Sequence, residues 1–99
     1  MWKNDAPIFL AILRAESGLR CDAVGDKHQV FTRQGKEYGK SYGPAQIRHL
    51  PGRPDPNTLL DCVENLGYAY RIWQRQGFNP WSAYKNKSYQ KYLKLYEKT

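Results

Sequence analysis

Long apolar runs are missing from this chain. Nowhere do about 18 uninterrupted apolar residues occur, which excludes a membrane-spanning helix. Paired-cysteine motifs are missing too: Cys21 and Cys62 stand far apart, and neither His28 nor His49 lies at zinc-ligand spacing from them. No metal site and no cofactor are therefore expected. The cysteines alone allow a disulfide, two buried thiols or half of a metal site. Carboxylates are scarce, with nine Asp/Glu against sixteen Lys/Arg and a net charge of +7. That balance favours an anionic partner, whether nucleic acid, a membrane surface or a bacterial wall polymer, and does not choose among them. Internal repeats and low-complexity tracts are absent. No basic-then-apolar-then-small leader opens the chain, because Met1-Trp2-Lys3-Asn4 leads straight into a helix pattern.

Large side chains are plentiful. Three tryptophans, eight tyrosines and three phenylalanines among 99 residues are too many for a solvated chain. A domain of this size buries roughly 60–65% of its unfolded surface, enough for one modest core. Residues 1–99 are read as a single domain, and the expected state is a monomer.

The spacing predicts mostly α structure. Asp5 is a candidate N-cap, Pro7 suits a first turn, and Ile8, Ala11, Ile12 and Ala15 share a face up to a stop at Gly18. Glu16 then falls in the last turn, where the helix dipole disfavours a carboxylate. From Leu19 to Gly43 the periodicity fades into an irregular excursion or short β-hairpin, with Gln29-Val30-Phe31-Thr32 as a candidate strand. Pro44 is expected to open a short helical turn over residues 45–48. After Pro51-Gly52-Arg53-Pro54, cap candidates at Asp55-Pro56-Asn57-Thr58 precede one long helix carrying Leu59, Val63, Leu66, Tyr70 and Trp73, ended by Gly77. Asn79-Pro80 turns into a short helix at Trp81-Ser82-Ala83-Tyr84. A last helix from near Ser88 carries Tyr89, Tyr92, Leu93 and Tyr96, ringed by Lys87, Lys91, Lys94 and Lys98.

Four segments stand in a telling order: Ala15-Glu16-Ser17-Gly18-Leu19, Ser41-Tyr42-Gly43-Pro44-Ala45-Gln46-Ile47, Asn65 with its Gly-Tyr-Ala-Tyr run, and Trp81-Ser82-Ala83-Tyr84-Lys85-Asn86. Here the chain resembles the catalytic domain of the lytic transglycosylases, lysozyme-like enzymes that cut peptidoglycan. The family shows Glu-Ser closing a helix, then Gly-Leu-x-Gln-Ile, Asn-x-x-x-Gly and Ala-Tyr-Asn-Ala-Gly. The resemblance covers roughly residues 6 to 93. Pro44 stands where the family has Leu, and Lys85-Asn86-Lys87 lacks the family's small residues.

The resemblance implies a compact lysozyme-like domain that cleaves the β-1,4 bond between MurNAc and GlcNAc. It implies Glu16 as the catalytic acid and then base, yielding 1,6-anhydro-MurNAc ends. Cleaving a glycosidic bond needs a carboxylic acid that stays protonated beside apolar groups until it meets the leaving oxygen. By the same correspondence Tyr84 hydrogen-bonds near the glutamate or the sugar, and Gln46 orients the acetamido group or the backbone around it. Ser17 holds the loop after the acid, Gly43 lets backbone approach substrate, and Ser41 and Tyr42 line the groove. A lysozyme-type hydrolase of the same bond would need a second carboxylate. Asp22, Asp26 and Glu37 are the nearby candidates, with Asp26 carried forward. In a lysozyme-like fold the segments bearing Cys21 and Cys62 pack together, so a bridge fits, along with an extracytoplasmic setting.

Blander readings apply elsewhere. The Tyr89-Tyr92-Tyr96 stripe and Trp73 are read as core, the lysines around the stripe as a solvated face, and His28 and His49 as surface. Trp81 is either core or the floor of a sugar groove. Outside this enzyme class, a basic nucleic-acid-binding helical domain fits the charge, although no nucleic-acid motif is present. A wall-binding module without chemistry fits the altered Pro44 and Lys85-Asn86-Lys87 segments.

Overall fold

The computed structural model describes residues 5–96, so Met1-Trp2-Lys3-Asn4 and Lys98 lie outside the described residues. About half of the described chain is helical, joined to two small antiparallel sheets. Helix α1 (Ala6–Ser17) buries Phe9, Ala11, Ile12 and Leu13 on one face, with Pro7 in its first turn. Asp5 does not cap it. Its backbone (φ −90°, ψ 1°) is already near-helical, and its side chain makes no capping bond. Gly18 ends α1 in the left-handed region (φ 68°), its N–H returning to the Arg14 carbonyl.

The excursion contains β1 (Val24–Gly25), β2 (Phe31–Arg33) and β3 (Lys36–Tyr38). Strands β2 and β3 form a hairpin in which Phe31 faces Tyr38. Its two-residue turn puts Gln34 (φ 52°) and Gly35 (φ 80°) at positive φ, the geometry that matches strand twist. Where the sequence predicts a helical turn after Pro44, the chain instead makes a second tight reversal. Strands β4 (Ser41–Tyr42) and β5 (Ile47–Arg48) pair antiparallel, and β1 joins the other edge of β4. Residues 43–46 form the connection. Positive φ at Gly43 (77°) and Gln46 (49°) is incompatible with a right-handed helix.

The long second helix is also interrupted. Helix α2 (Pro56–Leu60) is capped by Asp55, whose carboxylate accepts the Thr58 N–H at 2.8 Å. Asp61 is then extended (ψ 123°) and caps α3 (Cys62–Gln76) by accepting the Glu64 N–H at 3.0 Å. The break re-aims the face of α3: Val63 is 79% exposed, whereas Asn65 and Ala69 are fully buried. Cys62, the first residue of α3, is bonded to Cys21 in a disulfide with a Cα–Cα distance of 5.2 Å.

Helices α4 (Ser82–Lys85) and α5 (Gln90–Tyr96) complete the fold, and both pack on α1. The core joins Phe9, Ile12 and Leu13 to Ala45, Ile47, Leu59, Ala69, Trp81 and Ala83. Trp73 and Tyr89 pack partly buried against it. Helix α5 buries none of its residues fully, so the tyrosine stripe is a half-covered face. His49 departs from the surface expectation. It is half-buried, with its ring 4.8 Å from that of Tyr38 and 6.4 Å from that of Tyr42. His28 is exposed. Among the described residues, no helix is long and apolar enough to cross a membrane.

Candidate active site

Glu16 sits at the carboxyl end of α1, and its awkward position there has a local compensation. Its Oε2 accepts the Ala83 N–H at 3.0 Å and the Ser82 hydroxyl at 3.3 Å. The carboxyl group thus stands against the first turn of α4, where the Ala83 N–H would otherwise lack an acceptor within the helix. Among the described residues, Oε1 receives no hydrogen bond. Glu16 is half-buried and borders an open polar cleft of about 430 Å³.

The opposite wall is the β1–β4–β5 sheet. Gly25, Asp26, Ser41, Gln46, Ile47, Arg48 and Arg53 line the cleft, with Ile72, Pro80, Trp81 and Ser82 closing it. Ser41 is buried, and its hydroxyl donates a hydrogen bond to the Asp26 carboxylate. Gln46 is held by its side chain, whose Nε2 donates to the Gly43 carbonyl at 2.9 Å and the Ala23 carbonyl at 3.3 Å. A side chain at Gly25 would collide with the Gln46 Oε1, so glycine there leaves room for the amide. Arg48 is tied through Nε to the Gly39 carbonyl at 2.9 Å and through Nη2 to the Gln29 carbonyl at 3.0 Å.

No family model, curated protein or solved structure matches the chain. Among the described residues there is no group of three His, Cys, Asp or Glu poised to hold a metal ion.

Glu16, Ser41, Gln46 and Asp26 meet in one cleft, and the other sequence candidates have different places. Ser17 donates to the Leu13 carbonyl at 3.1 Å and the Pro44 carbonyl at 2.8 Å, pinning the 43–46 reversal to the end of α1. Gly43 approaches protein rather than a ligand: a Cβ there would strike the Asn65 amide and the Leu59 carbonyl. Tyr42 is half-buried against the core, and its carbonyl accepts from Asn65 Nδ2 at 2.7 Å. Tyr84 is not on the cleft wall. Its ring packs between Phe78 (5.3 Å) and Tyr89 (5.2 Å). Asp22 is exposed beside Arg20, whose hydrogen bond and charge hold its carboxyl below the usual carboxylate range. Glu37 pairs with Lys40 at 3.3 Å on the hairpin.

Trp81 is both core and cleft wall. It is buried, and its indole N–H donates to the Ala45 carbonyl at 2.9 Å. Three features have roles that the sequence did not assign, although Asn65 and Ser82 stand in the segments that carry the resemblance. Ser82 and the Ala83 N–H, which hold Glu16, left as their only trace a serine at the start of a short helix. Arg48 and Arg53 were visible only within the net charge. Asn65 is the organising polar group behind the cleft: Nδ2 donates to the Tyr42 and Leu59 carbonyls at 2.7 and 2.8 Å, and Oδ1 accepts the Ala45 N–H at 3.0 Å.

Proposed function

We propose that this chain is a peptidoglycan-cleaving enzyme of lysozyme-like fold, acting on the MurNAc–GlcNAc β-1,4 bond as a lytic transglycosylase. The observation that carries this reading is the Glu16 carboxyl group. One oxygen is held by the Ser82 hydroxyl and the Ala83 N–H, the other receives no hydrogen bond among the described residues, and the residue lines a polar cleft that also receives Ser41 and Gln46. A held but half-open carboxyl is what proton transfer to a bound glycosidic oxygen requires. The order of the four sequence segments supplies the substrate class.

In this reading Glu16 gives its proton to the glycosidic oxygen as the bond to C1 of MurNAc breaks, freeing the 4-hydroxyl of GlcNAc. The substrate's acetamido oxygen supports the developing charge at C1. The Glu16 carboxylate then takes the proton of the C6 hydroxyl as O6 bonds to C1, closing the 1,6-anhydro ring and restoring the acid. No water is consumed. Gln46, locked by the Gly43 and Ala23 carbonyls, offers a rigid amide at the cleft wall. The net charge of +7 favours adsorption to an anionic wall, and the Cys21–Cys62 bridge suits an extracytoplasmic home.

A second reading has its own support. Asp26 shares the cleft with Glu16, as a two-carboxylate hydrolase would need. Water would then replace O6, and the product would carry a reducing end.

Glu16→Gln separates the chemistry from the scaffold, because glutamine keeps an oxygen to accept from Ala83 and Ser82. Muropeptide release from purified peptidoglycan should fall by about 10²-fold or more, on the scale of losing an acid–base group. The circular dichroism melt should stay unchanged. Undiminished release would remove Glu16 from the chemistry.

A further inference from the structure

Arg53 stands where three openings meet. It borders the Glu16 cleft, a groove of about 610 Å³ against α3 and another of about 520 Å³ beneath the β2–β3 hairpin. Its side chain is positioned rather than loose: the residue is half-buried, and Nη1 donates to the Arg48 carbonyl at 3.2 Å. A guanidinium has five N–H donors, and among the described residues Arg53 makes no other side-chain hydrogen bond. Arg71 lines the α3 groove as well. Neither arginine has a carboxylate within 4.0 Å among the described residues, in contrast to Arg20 beside Asp22.

The two side grooves differ in charge. The hairpin groove sets Lys36 and Arg53 against Glu37 and Asp55, which leaves it balanced. The α3 groove sets Arg53 and Arg71 against Glu64 alone, which leaves it cationic. Planar guanidinium groups with free donors match a carboxylate in geometry and charge. A groove that departs from a glycan cleft at such a residue suits a branched substrate rather than a plain chain.

We propose that Arg53 and Arg71 form a subsite for carboxylates on the peptide branch of the glycan, with the branch leaving the Glu16 cleft at Arg53 and following α3 to Arg71. This rests on the reading that the cleft holds peptidoglycan. It makes the enzyme selective for peptide-bearing strands through the branch as well as the sugars.

The test uses binding, so that it does not depend on turnover. The Glu16→Gln protein is titrated calorimetrically with a GlcNAc–MurNAc tetrasaccharide bearing peptide stems with free carboxylates. The same compound with those carboxylates converted to carboxamides serves as comparison. The charged ligand should bind about 10-fold tighter, the scale of one charge-assisted contact. Adding Arg53→Gln and Arg71→Gln should erase the difference between the charged and carboxamide ligands. Arg75→Gln, which removes a charge from α3 outside both grooves, should preserve it. Equal binding of the two ligands, no binding of either, or a preference that survives loss of both arginines would overturn the subsite. An arginine-dependent preference in a protein whose unmutated form cleaves no peptidoglycan would keep the subsite and refute the catalytic reading.

Discussion

Glu16 has two roles available to it, and its two oxygens divide them. Through Oε2 it joins α1 to α4, a contact that spans 67 residues of sequence and supplies an acceptor to an otherwise uncapped helix start. Oε1 has no protein donor among the described residues, in a side chain that lines the cleft. Glutamine preserves the first role and removes the second, so the activity of Glu16→Gln reads the chemistry with little structural confusion. Asn65 has the opposite character. It is wholly buried, and its three hydrogen bonds link α3 to the β4–β5 reversal and the end of α2. Asn65→Leu keeps the approximate volume but leaves an N–H and two carbonyls without that partner. It should cost about 3 kcal/mol or more, given roughly 1–3 kcal/mol per buried unsatisfied group. Urea denaturation measures this, and a loss below about 1 kcal/mol would contradict the role assigned to Asn65.

Among the elements, the start of α2 carries a pH dependence that follows from one bond. The hydrogen bond from Thr58 N–H to Asp55 holds the Asp55 carboxyl below its usual value. In the unfolded chain that bond is gone and the usual value returns. The stabilisation is therefore complete above the ordinary carboxylate range and is lost as the pH falls through the lowered folded-state value. Asp55→Asn removes the titration while keeping an acceptor, and should flatten the acid limb of a plot of Tm against pH. An acid limb identical to that of the unmutated protein would contradict this assignment. Helix α1, its glycine stop and the existence of helix between residues 56 and 76 were legible because each rests on local spacing and end chemistry. The break at Asp61 was not: aspartate is tolerated inside helices, and only the re-aimed face of α3, with Val63 in solvent, reveals it. Nor was the 43–46 reversal. Proline after glycine reads equally as a helix start, and the positive φ at Gln46 is imposed by bonds to Ala23 and Gly43. At the site, Glu16, Ser41 and Gln46 could be named from their motifs. The packing of Tyr84 between Phe78 and Tyr89 was not legible, because its ring partners are set by how α4 and α5 lie on the core.

At the scale of the whole molecule, a chain of 99 residues holds its cleft by joining distant parts. The Cys21–Cys62 bridge closes a loop spanning 41 residues of separation, between the segment after α1 and the start of α3. In the chain-entropy account, a loop of this length contributes about 4 kcal/mol. The double variant Cys21→Ser/Cys62→Ser should lose stability on that scale in urea, and an unchanged midpoint would show the bridge to be dispensable. The sheet wall and the α1–α4 wall of the cleft approach each other through Trp81, whose indole ties α4 to Ala45, and through Ser17, which ties α1 to Pro44. Each of these ties positions Glu16 opposite Gln46 and Ser41, so the fold and the proposed chemistry share the same contacts. Mass spectrometry of the products released from purified peptidoglycan tests that chemistry most directly. The proposed chemistry yields muropeptides ending in 1,6-anhydro-MurNAc, lighter by one water than the hydrolysis product, which should disappear with Glu16→Gln. Products with reducing ends would point to hydrolysis instead, and release that is indifferent to Glu16 would contradict the proposed chemistry at its centre.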